Sequence, residues 1–60
     1  MEYFVIYDKN DNIIAYCDNI NELISYTGIR KNNLRSRLKT KDCYHYLNGN
    51  TYNLIYRFFA

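Results

Sequence analysis

Apolar positions along this chain fall into short blocks whose period changes twice. Tyr3 to Asp8 and Ile13 to Cys17 are runs of β-branched and aromatic residues, a composition suited to half-buried strands. The Lys9-Asn10-Asp11-Asn12 segment between them supplies side chains that tolerate tight-turn geometry, so the two runs predict an antiparallel hairpin. The period then lengthens: Ile20, Leu23, Ile24 and Thr27 follow the three-and-four spacing of one helical face. Asn19 stands at the N-cap position with Glu22 three residues on, where its carboxylate can reach back to the cap, and Gly28 stands where a left-handed residue stops a helix. A helix of about two turns is predicted.

From Arg30 or Lys31 to Thr40, Leu34 and Leu38 lie one turn apart among polar residues, which predicts a second short amphipathic helix. Alternation returns at Cys43, with Tyr44 and Tyr46 on one side of a strand and His45 and Leu47 on the other. Asn48-Gly49 predicts a type I′ turn, in which both central residues take positive φ, and Thr51 to about Phe58 forms the returning strand, free to join the N-terminal hairpin as well. The resulting fold class is α+β: ββααββ order, a small antiparallel sheet, and two short helices on one face in a helix-turn-helix-like arrangement. Residues 1–60 are expected to form one small domain.

Sixty residues hide only roughly 60% of the surface they expose when unfolded, so one thin core is all the chain can build. A deep catalytic pocket would consume that core, whereas a binding surface can be laid over it. The 48% apolar content and eleven aromatics suit a folded domain. The longest apolar runs, such as Tyr3 to Tyr7, are too short to cross a bilayer and no basic-then-apolar leader is visible, which places the expected location in the cytoplasm with no membrane partner. Cys17 and Cys43 are then expected as reduced, buried small hydrophobes. With His45 they are the only soft metal ligands, and they lack the spacing of a structural zinc site, so neither metal nor cofactor is expected. Cys43 and His45 have no orienting third group, and no phosphate loop or carboxylate pair stands out, so an enzyme is not expected.

Charge changes the picture more than its total suggests. The formal net charge is +2, yet residues 1–28 carry one cation against five acids, a net of −4, and residues 29–60 carry seven cations against Asp42 alone, a net of +6. Six cations fall between Arg30 and Lys41 with no acid among them. If Leu34 and Leu38 face the core, Asn32, Asn33, Ser36, Lys39 and Thr40 occupy the outer face of the second helix, flanked by Arg35. Arg and Lys contact phosphates or guanine edges, Asn pairs with adenine, and Ser serves either, so this face has the chemistry of a recognition helix. Arg30, Lys31, Arg37 and Lys41 would stand at its ends and margins, where phosphate contact is the natural role. A plain solvated helix face has the same composition. The tyrosines add a second candidate surface: Tyr44, Tyr46, Tyr52 and Tyr56 are expected on a shared sheet face, stacking bases, anchoring a protein, or covering the core with their hydroxyls at its rim.

The order Tyr7-Asp8, a turn, Ile13-Ile14-Ala15-Tyr16, Asn19-x-x-Glu22-Leu23, Tyr26-Thr27-Gly28-Ile29 and a basic helix with Leu34 and Leu38 resembles short modules of phage and mobile-element proteins. It is similar to the NUMOD-type helix-turn-helix repeats found beside homing endonucleases, over roughly Val5 to Leu38. The resemblance implies a module that grips DNA while a separate domain cuts; these sixty residues hold no nuclease portion and close on an Asn-Gly hairpin instead. Two readings therefore stand: a small non-catalytic nucleic-acid-binding module, with duplex DNA the expected target, and a phage-type inhibitor that binds a host protein, of which anti-CRISPR proteins are an example. For the first, a symmetric homodimer is expected, since a lone short helix-turn-helix seldom binds specifically as a monomer; an exposed terminal strand or the Phe58-Phe59 tail would supply the interface.

Overall fold

A computed structural model describes residues 1–60, in the order β1 (Glu2–Tyr7), β2 (Ile13–Cys17), α1 (Ile20–Thr27), α2 (Lys31–Thr40), β3 (Cys43–Asn48) and β4 (Thr51–Phe59). The ββααββ arrangement expected from the sequence is present. All four strands join one antiparallel sheet in the order β2-β1-β4-β3, so the first and last strands are its central pair. Six consecutive pairs, from Glu2 opposite Phe59 to Tyr7 opposite Leu54, zip the two ends of the chain together.

Each local signal acts through a visible contact. In the first hairpin, the Asp8 carboxylate accepts the backbone N–H groups of Asn10 at 2.8 Å and Asn12 at 3.0 Å, while Asp11 carries the one positive φ of the loop, 65°. These bonds, led by the one from Asn12, hold the Asp8 carboxyl below its ordinary pKa because they favour the charged form. Helix α1 starts on Asn19, whose Oδ1 accepts the Glu22 N–H at 2.9 Å. The Glu22 carboxylate meets the Asn19 side-chain amide at 3.2 Å rather than the Asn19 backbone N–H expected of a capping box. Gly28, at φ 72°, ends the helix and donates to Ile24 O at 2.8 Å.

The second hairpin departs from expectation by one residue. Asn48 pairs with Thr51, so the central turn residues are Gly49 and Asn50, and only Gly49 has positive φ, 66°. A single positive φ at the first central residue belongs to a type II′ turn, not the predicted I′. Glycine at the first position was enough to define the turn, leaving Asn48 free to extend β3.

Both helices cover the same face of the sheet. Phe4, Ile6, Cys17, Tyr46 and Ile55 from the strands meet Ile20, Leu23, Leu34 and Leu38 from the helices in one cluster. Helix α1 lies over β1 and β2, and α2 lies against β3. The strand alternation divides the tyrosines: Tyr44 and Tyr46 point toward the helices, whereas Tyr52 and Tyr56 lie on the opposite, helix-free face. The expected shared face is thus corrected, because the register places Tyr44 opposite Ile55 and Tyr46 opposite Asn53, one residue out of phase with Tyr52 and Tyr56. Cys17 and Cys43 are free thiols in the two edge strands, separated by β1 and β4. At the strand spacing of about 4.8 Å that is three strands' width, too far for a disulfide within the chain.

Candidate nucleic-acid interface

Helix α2 is pinned by Leu34 and Leu38, which are essentially inaccessible, and every other residue of the helix is exposed. With those two leucines inward, Ser36 marks the crest of the outer face, with Asn32, Asn33, Lys39 and Thr40 around it. The arginines straddle this crest rather than occupy it. Arg35 leans to one side and pairs with Glu2 of β1, 2.7 Å from Nη1 to Oε1. Arg37 leans to the other and places its guanidinium over the Tyr44 ring of β3, 5.6 Å from the ring centre.

On the Arg37 side, α2 and β3 enclose a polar surface groove lined by Asn33, Ser36, Arg37, Lys41, Tyr44 and His45. His45 was not among the nucleic-acid contacts expected from the sequence, and Tyr44 was expected on a tyrosine face rather than beside the basic helix. The outward position of His45 was legible from alternation along β3, but the packing of β3 beside α2 required the fold. Arg30 occupies the N-cap position of α2 without a side-chain capping bond, Lys31 opens the first turn, and Lys41 closes the helix in extended conformation.

Of the six cations from Arg30 to Lys41, only Arg35 has a carboxylate within salt-bridge distance. Arg57, the remaining cation of the C-terminal half, is neutralised: its Nη2 and Nε donate to Asp42 Oδ1 at 2.8 and 3.2 Å, and its backbone N–H donates to Asp42 O at 2.8 Å. The sheet order turns the charge asymmetry of the sequence into a lateral one. Asp18 follows β2 at one edge, while Lys41 precedes β3 at the other, beneath the cations of α2.

Beneath the helices the electrostatics are those of a dry core. Burial pushes the Cys17 thiol above its ordinary pKa, and the nearby Glu22 and Asp18 add to the rise. Burial likewise raises Tyr46, whose hydroxyl is enclosed without a hydrogen-bond partner; its cross-strand neighbour Asn53 offsets part of the rise without closing a bond. No three metal-ligating side chains converge, and no helix is long and apolar enough to cross a membrane.

No known protein family matches this chain, and neither curated proteins nor solved structures return a match. What stands is a small α+β fold with two helices on a four-stranded sheet; the resemblance to phage helix-turn-helix modules rests on the residues quoted for it.

Proposed function

We propose that the chain is a nucleic-acid-binding module that grips the phosphate backbone of duplex DNA with α2 and the groove between α2 and β3. One observation carries this reading: five cations, Arg30, Lys31, Arg37, Lys39 and Lys41, gather on and around one ten-residue helix without an acidic partner. Like charges so close repel one another, and a polyanion relieves that repulsion while releasing its own counterions. Two of the five sit at the helix N-terminus, where the macrodipole already disfavours a cation and where backbone N–H groups await an acceptor. A phosphate answers all three needs.

Asn32, Asn33 and Ser36 on the crest are the residues able to read base edges, and Arg30, Lys31, Arg37, Lys39 and Lys41 are backbone contacts. Arg35 takes a lesser part, since its guanidinium must leave Glu2 to reach a phosphate.

The test is a fluorescence-anisotropy titration of random duplex DNA at low and near-physiological salt, comparing the native chain with an Arg37→Glu, Lys39→Glu variant. Both side chains are exposed and free of carboxylate partners, so the variant leaves the core and the Arg35–Glu2 pair in place. Binding should weaken steeply with salt, and the log–log salt slope should fall by about 0.9 for each phosphate contact removed. Absence of binding at low salt, or equal binding by the variant, would remove α2 as a nucleic-acid surface and turn attention to a protein partner.

A further inference from the structure

We propose that the helix-free face of the sheet is a self-association surface on which a second copy of this chain packs face to face, the β2 edge of one copy over the β3 edge of the other. The inference goes beyond nucleic-acid binding and does not depend on it.

The face is built from the strand positions that alternate with the core. Tyr3, Val5 and Tyr7 of β1 stand between Tyr16 of β2 and the Tyr56 and Phe58 of β4. Val5, although on this open side, is only 8% exposed. Its cross-strand neighbours on the two sides are Tyr16 and Tyr56, and the rings form a continuous plate. Tyr3 stacks on Phe58 at 5.3 Å and tilts against Tyr16 at 5.6 Å, while Tyr7 meets Tyr56 edge-on at 5.4 Å. Tyr16, at 57% exposure, and Tyr52, at 62%, still present much of their surface to water. A sheet of four strands about 4.8 Å apart and six residues long offers roughly 400 Å² in projection. That is the size of an apolar patch that marks an interaction site, and below the roughly 800 Å² per partner of a tight complex. The association should therefore be weak and reversible.

Two features select a second copy as the occupant. The rings on β2, β1 and β4 bring no charged side chain, so a nucleic acid would find no Lys or Arg among them; at the β3 edge the face ends in Cys43, His45 and Leu47. Its rings also pack against one another, as Tyr3 does on Phe58, which takes up faces that bases would need for stacking. The rims supply the second feature. Asp18 follows β2 and Lys41 precedes β3 at the same end of the sheet, in the row that contains Tyr3 and Phe58. A two-fold axis parallel to the strands brings β2 of one copy over β3 of the other and keeps the ends aligned, so each acidic edge meets a basic edge. An axis across the strands would stack β2 on β2 with the ends reversed and leave Asp18 and Lys41 without each other. The two α2 helices then lie on the outer sides of the pair, and only Lys41, at the end of α2, is shared between the seam and the nucleic-acid surface.

The test is sedimentation equilibrium of the full chain without nucleic acid over a range of concentrations. The mass should rise from one copy toward two, with a Kd in the micromolar range, about 1–100 µM. Tyr16→Lys and Tyr56→Lys should each weaken association about tenfold or more, whereas Tyr26→Lys, on the outside of α1, should leave it unchanged. Circular dichroism checks that each variant folds. Should either sheet variant fail to fold, Asp18→Lys tests the same interface at an exposed position: it should weaken association, and the Asp18→Lys, Lys41→Asp double variant should recover it. A one-copy mass up to roughly 300 µM would overturn the proposal. So would a dimer indifferent to the folded tyrosine variants or to Asp18→Lys, because association would then use another surface.

Discussion

The two helices, of eight and ten residues and joined by only three, are finished in opposite ways. Helix α1 is capped at both ends, by the Asn19 side chain and by left-handed Gly28, and carries an acid in its first turn where the dipole favours one. Helix α2 has no side-chain cap at its start, cations in place of acids in its first turn, and an extended residue at its end. Both are nevertheless pinned by two fully or nearly buried apolar residues. The lesson is that packing suffices to form α2: its start is not tuned for stability, although Arg37 and Lys39 suit the dipole in its last turn. Local choices that cost a helix stability are the ones the proposed phosphate contact would account for.

The comparison can be broken hardest through what the helices share. Leu23→Ala in α1 and Leu38→Ala in α2 each empty a fully or nearly fully buried site and should cost about 2–5 kcal/mol. A core this small rarely supplies more than about 3–5 kcal/mol. Either variant should be largely unfolded in a urea titration followed by circular dichroism. If Leu38→Ala were much milder than Leu23→Ala, α2 would not be held by packing as the comparison requires.

A smaller effect sharpens the difference. Asn19→Ala removes a cap that works and should cost about 1 kcal/mol. Arg30→Asp supplies α2 with the acceptor and the charge it lacks, and should add about 1 kcal/mol, a rise of roughly 4–8 °C in Tm. The same change should weaken duplex binding in the anisotropy titration. Arg30→Asp that lowers Tm, or that leaves DNA affinity intact, would separate the untuned helix end from function.

The smallest effect concerns what the helices roof over. Cys17 and Tyr46 are neutral acids whose pKa values are raised in the folded chain, chiefly by burial. Their stabilising contribution is fully present below the unfolded values of 9.0 and 10.0 and is lost as pH rises through the folded ones. Stability should be flat to about pH 8 and decline from about pH 9 upward. Tyr46→Phe, by deleting the buried hydroxyl without a partner, should gain up to about 1 kcal/mol near pH 7 and soften the alkaline decline. Denaturant titrations across pH 7–11 measure both, and a decline unchanged by Tyr46→Phe would assign it to Cys17 and Tyr16, whose phenol is likewise raised, chiefly by desolvation.

Short-range signals in the chain set the elements and their order. Asn19 and Gly28 mark the ends of α1, the four-residue spacing of Leu34 and Leu38 places α2, and the Asp- and Asn-rich loop closes the first hairpin. These signals act over a few residues, and one local contact satisfies each. Even there the reach was limited: Asn48-Gly49 announced a turn, but the pairing of Asn48 with Thr51 chose Gly49-Asn50 and its type. Most residues of the candidate interface were legible as a basic helical face, whereas its geometry was not. The pairing of Arg35 with Glu2 joins residues 33 apart in sequence, and Tyr44 and His45 reach the groove only because β3 packs beside α2. The tertiary structure alone decided that β1 and β4 are central, that Tyr52 and Tyr56 face away from Tyr44 and Tyr46, and that acidic and basic halves lie at opposite sheet edges. Pairing between distant strands depends on burying one common face, and no short window of sequence contains both partners of that choice.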